Sequence, residues 1–380
     1  MKIAFFTDTY LPQLNGVATS VNNFYIELKK IYPDIEIIAP KIKNYDDLDK
    51  NILRLSSSKI WPTIPDSARM PLPDKEWLQL LDNDYEIIHA HGNGLFSFLG
   101  LIIARRKKIP FVLTLHTLWD QYGHYFLGGK ILTPSLINKL LKTFANKSDA
   151  IIAPSEKMKH KLIALGVSKP ITVIPNFVDF EKFKNLPKGF LRQKLKLESD
   201  TKILLSVGRL GKEKNFDFLI RMFSYLDYKN QKIHLVIVGE GIEKKNLTQL
   251  IQKLGLENNI HLTGGLPIDT MPSVYADADI FVFASESEVH PMVAIEAASS
   301  ALPLVIIDDP AFKGIVKDRI NGFISVKNHQ DFSKKVRILL DDAKLRKKME
   351  QESQKNISKQ FVRKEILEDL LKVYKSLLIK

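Results

Sequence analysis

Short apolar runs alternate along this chain with longer stretches of helical periodicity, and few folds accommodate that alternation. The runs are KIAFF (2–6), IEIIA (35–39), YEIIHA (85–90), FVLTLH (111–116) and AIIAP (150–154). They are nearly continuous in apolar residues, as strands buried on both faces are, and the intervening segments are long enough for crossover helices. After Pro175 the rhythm restarts with KILLSVG (202–208), IHLVIVG (233–239), NIHLTG (259–264), DIFVFA (279–284) and LPLVIID (302–308). The expected fold class is α/β, with two Rossmann-like, doubly wound parallel-sheet domains. At 380 residues the chain exceeds what one core usually organises. The join falls in IPNFVDFEKFKNLPKGF (174–190), where Pro175, Pro187 and Gly189 bracket a stretch without clear periodicity. This predicts a first domain over 1–178 and a second over 179–364. The last stretch, KEILEDLLKVYKSLLIK, predicts a helix with Ile366, Leu370, Val373 and Leu377 on its apolar face.

In such sheets ligands bind beyond the carboxyl ends of the strands, so the residues just after strands carry the chemistry. The first connection reads TDTYLPQLNGVATSV, with Asn15 and Gly16 ahead of a helix. It has no G-x-G-x-x-G, which removes the main support for a dehydrogenase. A single glycine at a helix start still lets a ligand oxygen approach backbone amides, though many such glycines only make a turn. His89 and His91 end one strand and His116 another, without the carboxylate spacing of a zinc site, so no metal is expected. A neutral imidazole at a strand end suits hydrogen bonding to a hydroxyl.

In the second domain, LLSVGRLGKEKNFDFLI places Arg209 just after a strand and Lys214 just before a helix. Two cations in one strand-to-helix loop match a diphosphate, the arginine as a planar fork and the lysine as a point charge. Further on, ESEVHPMVAIEAA carries Glu288 in a loop and Glu296 in an apolar helix. A carboxylate on the buried side of a helix needs hydrogen-bond partners, which vicinal sugar hydroxyls would supply. The pair also fits the acid and base of a hydrolase, and spacing alone leaves both readings open. Pro291 stands where a phosphate-binding loop would offer an amide. If it is the first residue of the helix, its missing N–H has no intrahelical partner to lose, and the amides of Met292 and Val293 remain for the ligand.

Four stretches in this order, DTYLPQLNGVATSV, LTLHT, VGRLGKEKN and EVHPMVAIE, resemble over nearly the full chain the retaining glycosyltransferases of family 4, which have the two-domain GT-B architecture. The resemblance implies two domains facing a central cleft, and transfer of a hexose from a nucleotide diphosphate sugar with retention, without metal or other cofactor. By position, Arg209 and Lys214 would bind the diphosphate and stabilise the charge that develops on departure. Glu296 would hold the ribose hydroxyls, Glu288 the donor sugar and His116 the sugar near the reacting carbon. Gly16 would let the first domain's loop approach. The C-terminal helix, 365–380, would pack back on the first domain. The chain departs from the family's usual glycines at Pro291, Ala301 and Phe177.

The segment HTLWDQYGHY further resembles the diacylglycerol glucosyltransferases, which implies UDP-glucose as donor and a membrane lipid as acceptor, with Asn15, His91, Tyr122 and His124 on the acceptor side. Leu132, Leu136, Leu140 and Leu141, bordered by Lys130, Lys139, Lys142 and Lys147, predict an amphipathic helix for an anionic membrane surface, or equally a packed helix with solvated lysines. The net charge is +13, and residues 334–380 hold 14 Lys and Arg against 7 Asp and Glu, so that tail supplies +7 of it. The tail lacks interleaved aromatics, so no nucleic-acid partner is expected. There is no cysteine, only five residues separate Lys2 from Asp8, and the apolar run 94–104 stops well short of the roughly 20 residues that span a bilayer. A cytoplasmic protein, peripheral at the inner face of the cell membrane, is the expectation. A polysaccharide or soluble acceptor and a catalytically silent nucleotide-sugar binder are the alternatives, and no signature sets an oligomeric state.

Overall fold

In the structure, a computed structural model, the residues described are 1–13, 15–59, 69–118, 133–184, 186–228 and 232–379. The chain divides into two compact units, Met1–Phe177 with Arg363–Lys380, and Val178–Val362.

The first unit runs β1 (Ile3–Thr7), α1 (Gly16–Lys29), β2 (Glu36–Pro40), β3 (Ile52–Leu55), β4 (Ser57–Lys59), β5 (Arg69–Pro71), α2 (Lys75–Asp82), β6 (Ile87–His91), α3 (Leu95–Lys107), β7 (Phe111–Thr114), α4 (Pro134–Ala145), β8 (Ala150–Ala153), α5 (Glu156–Ala164) and β9 (Ile171–Val173). Among the described residues it holds a seven-stranded sheet in the order β3-β2-β1-β6-β7-β8-β9. All neighbours are parallel. β1, β6, β7 and β8 are buried along their whole length, which is why they read as continuous apolar runs.

The second unit runs α6 (Phe190–Leu195), β10 (Lys202–Val207), α7 (Phe216–Phe223), β11 (Ile233–Val238), α8 (Lys244–Leu254), β12 (Ile260–Gly264), α9 (Met271–Ala276), β13 (Ile280–Phe283), α10 (Met292–Ser299), β14 (Leu304–Ile307), β15 (Gly322–Ser325), α11 (His329–Asp341) and α12 (Ala343–Gln360). Its parallel sheet has the order β12-β11-β10-β13-β14-β15. Successive side chains of one strand serve opposite faces. Leu204 joins Leu235, Val282, Phe216 and Phe332 in one core, while Ile203 and Leu205 join Phe281, Phe283 and Ile295 in the other. Each such apolar side chain contributes about 1.5–3 kcal/mol by leaving water, which fastens helices to both faces.

In each unit the strand order reverses direction beside the first strand, between β1 and β6 and between β10 and β13. Loops leave that point in opposite directions and leave a crevice for ligands. The short strands β3, β9 and β15 complete the sheet edges and have no clear apolar signature in the sequence.

After α12 the chain returns to the first unit as α13 (Arg363–Leu378), where Arg363 pairs with Glu27 at 3.0 Å. α13 buries Ile366, Leu367, Leu370 and Tyr374, while Val373 and Leu377 are only half-buried. The buried stripe is therefore rotated from the one expected, because the Tyr374 hydroxyl reaches into the unit to His89 at 2.6 Å.

The start of α3 depends on a distant carboxylate. Gly94, its N-cap, has no side chain, and Asp8 at the end of β1 accepts instead from the amides of Gly94 (3.1 Å) and Phe96 (2.9 Å) and from the Ser97 hydroxyl (3.3 Å). Burial pushes the Asp8 carboxyl up to about 6 against those donors. A Cβ at Gly94 would lie 2.4 Å from the Asp8 carboxyl carbon. Gly94→Ala must displace a buried, triply bonded group, a loss of about 2–3 kcal/mol. The expected result is a melting temperature lower by roughly 5–10 °C in a thermal scan, and an unchanged melt would show that Asp8 can shift freely.

Candidate functional site

Around the crevice of the second unit lie Arg209, Lys214, Glu288 and Glu296, four of the residues that the sequence assigned to a diphosphate and its sugar, whereas His116 and Gly16 belong to the first unit. Arg209 follows β10 and Lys214 precedes α7, while Glu288 follows β13 and Glu296 lies in α10. The Arg209 guanidinium donates to Glu213 at 2.8 Å, and the Lys214 ammonium to Glu288 at 2.5 Å, with both members of the second pair largely buried. Asn215 ties the two loops together, donating to the Ala284 carbonyl at 2.9 Å and the Glu286 carboxylate at 3.0 Å. Lys327 also donates to Glu286. The loop after β11 presses on this assembly through Gly239, whose φ of +147° and lack of a side chain are both required. A Cβ there would fall 1.9 Å from the Gly208 carbonyl oxygen.

Pro291 is not the first helical residue as expected. It is the N-cap, with φ −72° and ψ 102°, and α10 starts at Met292. The carbonyl of Pro291 accepts the first-turn bonds from Ala294 (3.1 Å) and Ile295 (3.3 Å). An extended ψ suits that role, and the missing N–H again has no intrahelical partner to lose. The amides of Met292 and Val293 precede those bonds at the positive end of the helix dipole, where anions bind.

Glu296 is fixed by a residue that the sequence patterns do not single out. The Tyr275 hydroxyl of α9, itself fully buried, donates to Glu296 Oε2 at 2.7 Å. Burial raises the Glu296 carboxyl above its usual range, and the tyrosine bond opposes that rise. Of the remaining departures from family glycines, Ala301 has φ +61°, a left-handed conformation that a glycine would adopt with less strain. Phe177 is buried against Phe24 at 5.0 Å, and its carbonyl accepts from Asn23 at 2.7 Å, so packing replaces flexibility there.

In the first unit the histidines cluster at the ends of β6 and β7. Period-two alternation places His89 and His91 on one face, and Phe5 of β1 packs against both rings. His89 Nδ1 meets the Tyr374 hydroxyl and His89 Nε2 the Thr114 hydroxyl, each at 2.6 Å. His91 Nδ1 lies 3.1 Å from His116 Nε2, with the two rings stacked at 5.4 Å. Burial lowers His89 to about 3 and His116 to about 4, and holds His91 well below its usual value. All three are neutral at pH 7. Among the described residues no group of three or more His, Asp or Glu side chains is placed to hold a metal ion.

Asn15 caps α1, its side chain accepting from the Ala18 amide at 2.9 Å and donating to Thr9 at 2.8 Å, and Gly16 is the first residue of that helix. The side chain of Asn15 is thus committed to local structure. Tyr122 and His124 lie outside the described residues, as do Lys130 and Leu132. On α4, Leu141 faces the core with Ile137 instead of joining an outer face, while Leu136 and Leu140 are 40% and 55% exposed.

Residues 14–182 match the family described as Glycosyltransferase Family 4, and residues 187–356 match Glycosyl transferases group 1. The chain is 29% identical over 338 residues to an alpha-monoglucosyldiacylglycerol synthase of Streptococcus pneumoniae, covering 87% of this chain and 76% of that one. It is 28% identical to the enzyme of the same name from Acholeplasma laidlawii, covering 87% and 86%. HepE of Anabaena, solved with UDP and glucose, superposes with a TM-score of 0.81 at 19% identity, covering 99% of this chain and 100% of that one. Two matched domains in sequence order, two parallel sheets of this topology and a shared fold make the chain a GT-B glycosyltransferase, built from a Glycosyltransferase Family 4 domain followed by a Glycosyl transferases group 1 domain.

Proposed function

We propose that this chain is a retaining hexosyltransferase that moves glucose from UDP-glucose to a membrane lipid of the diacylglycerol class, without a metal ion or other cofactor. The observation that carries the donor half is the meeting of Arg209, Lys214, Glu288, Glu296 and the amino end of α10 at the crevice between β10 and β13. Such a set suits a nucleoside diphosphate sugar. Arg209, Lys214 and the Met292 and Val293 amides take the diphosphate, Glu296 takes the ribose hydroxyls through its other oxygen, and Glu288 takes hydroxyls of the sugar. As the bond from the anomeric carbon to the phosphate oxygen breaks, Arg209 and Lys214 stabilise the charge on the departing UDP. The acceptor oxygen bonds to the same face of that carbon and its proton passes to the departing phosphate, which gives retention. In the first unit, His116 and the loop at Gly16 contact substrate.

The acceptor half rests on the two glucolipid-synthase relatives and on the surface of the first unit. α4 exposes Leu136 and Leu140 beside Lys139 and Lys142, and α3 exposes Leu95, Phe98 and Ile102 ahead of Arg105 and Arg106. Phe98 lies 6.4 Å from Phe144 of α4, so the two stripes adjoin. Apolar side chains rimmed by cations suit the headgroup region of an anionic bilayer. No described helix is long and apolar enough to cross a membrane, which is consistent with peripheral attachment.

The test is incubation with radiolabelled UDP-glucose, with and without EDTA, and vesicles of diacylglycerol in an anionic phospholipid. Labelled α-glucosyldiacylglycerol is the expected product in both. Transfer to soluble sugars alone would overturn the lipid acceptor, and UDP-glucose binding without any transfer would favour the silent binder.

A further inference from the structure

The two histidines at the ends of β6 and β7 form a pair whose proton positions are linked. A neutral imidazole carries one N–H and one lone-pair nitrogen, so the 3.1 Å contact between His91 Nδ1 and His116 Nε2 needs one ring to donate and the other to accept. If His116 donates from Nε2, the His91 proton must sit on Nε2. That atom is buried and has no hydrogen-bond partner among the described residues, so this arrangement strands an N–H. If His91 donates from Nδ1, only a lone pair is left at that atom. Buried donors without partners are the rarer and more damaging case. The second arrangement also puts the His116 proton on Nδ1, the nitrogen that has no partner among the described residues, in a residue that is partly exposed.

We infer that His91 is a positioning residue that fixes His116 as the Nδ1–H tautomer, so that His116 offers substrate a hydrogen-bond donor for one of its oxygens and does not act as a base. This rests on the transferase reading above, because only a substrate oxygen gives the donor a purpose. His89 does not set the pair, since both its nitrogens are already engaged by Tyr374 and Thr114. Among the described residues the facing groups are therefore neutral hydroxyls and imidazoles, with Phe5 against the rings, and none of these supplies a charge that would impose the other tautomer.

The tautomer can be read without any activity. In long-range proton–nitrogen correlation spectra of the nitrogen-15-labelled full chain, His116 is expected as Nδ1–H, and His91→Asp, which offers only an acceptor, is expected to move the His116 proton to Nε2. A wild-type His116 protonated on Nε2 overturns the inference whatever the kinetics show. Kinetics with UDP-glucose and diacylglycerol vesicles give the second reading. His91→Asn, whose amide nitrogen can replace Nδ1, should keep kcat within about threefold, whereas His91→Leu, of similar size but with no donor, should lose at least about tenfold in kcat with little change in KM for UDP-glucose. Equal kcat in the two variants, each with a wild-type melting profile, overturns the inference. A wild-type enzyme that transfers glucose to nothing would overturn the proposed function instead, and the spectra would still decide the tautomer.

Discussion

Lys214→Ala is expected to lower kcat for glucose transfer by about a thousandfold or more, roughly 4 kcal/mol of transition-state stabilisation, while KM for UDP-glucose rises by less than about tenfold. The asymmetry arises from where the charge grows. On the proposed reading, the diphosphate charge of the bound donor is spread over several oxygens and shared among Arg209, Lys214 and the α10 amides. When the anomeric bond breaks, new negative charge concentrates on the departing oxygen, and a largely buried ammonium acts on it through little water. Lys214 is already held by Glu288 at 2.5 Å, so its position does not have to be created when the donor binds. Arg209 is more exposed and is pinned by Glu213 on its own loop, so Arg209→Ala should weaken binding more than it slows chemistry. Steady-state kinetics on both variants decide the matter. A Lys214→Ala enzyme within tenfold of the parent kcat would place the leaving-group charge on some other residue.

Much of this arrangement is legible in the sequence because it is local to strands. KILLSVG and DIFVFA announce two central strands, and the loop after each strand must lie in the crevice, so Arg209, Lys214 and Glu288 can be named before any coordinates. The rest depends on contacts across long chain separations. Tyr275 holds Glu296 from another helix, and Asp8 caps α3 across 86 residues. Neither carboxylate announces its partner, since hydrogen bonds between distant elements leave no periodic trace. Helix phase is the other difficulty. In α4 and α13 the apolar residues fill more than one stripe, and only packing shows that Leu141 and Tyr374 turn inward. Asn15 illustrates the reverse case, where a residue placed beside a glycine for ligand contact is occupied by an ordinary N-cap.

Glu296→Ala is expected to lower kcat/KM for UDP-glucose by at least about a hundredfold, close to 3 kcal/mol, and Pro291→Gly to change it by less than about tenfold. The two residues are five apart on one loop and helix, yet they differ in what the ligand would lose. Tyr275 holds one oxygen of Glu296, and on the proposed reading the other is left for the ribose hydroxyls, to which a carboxylate supplies charge-assisted bonds that alanine cannot replace. Its removal also strands the hydroxyl of a fully buried tyrosine, so some of the loss will appear as reduced stability. Tyr275→Phe separates these contributions. It keeps the carboxylate and removes its anchor, and should fall between the parent and Glu296→Ala in kcat/KM. Pro291 contributes a carbonyl to the first turn of α10 and no amide to the ligand, and glycine keeps that carbonyl while loosening the loop. Kinetics and melting curves on the three variants are sufficient. Equal losses for Pro291→Gly and Glu296→Ala would mean that the stiffness of the loop ahead of α10, rather than the carboxylate within it, holds the donor in place.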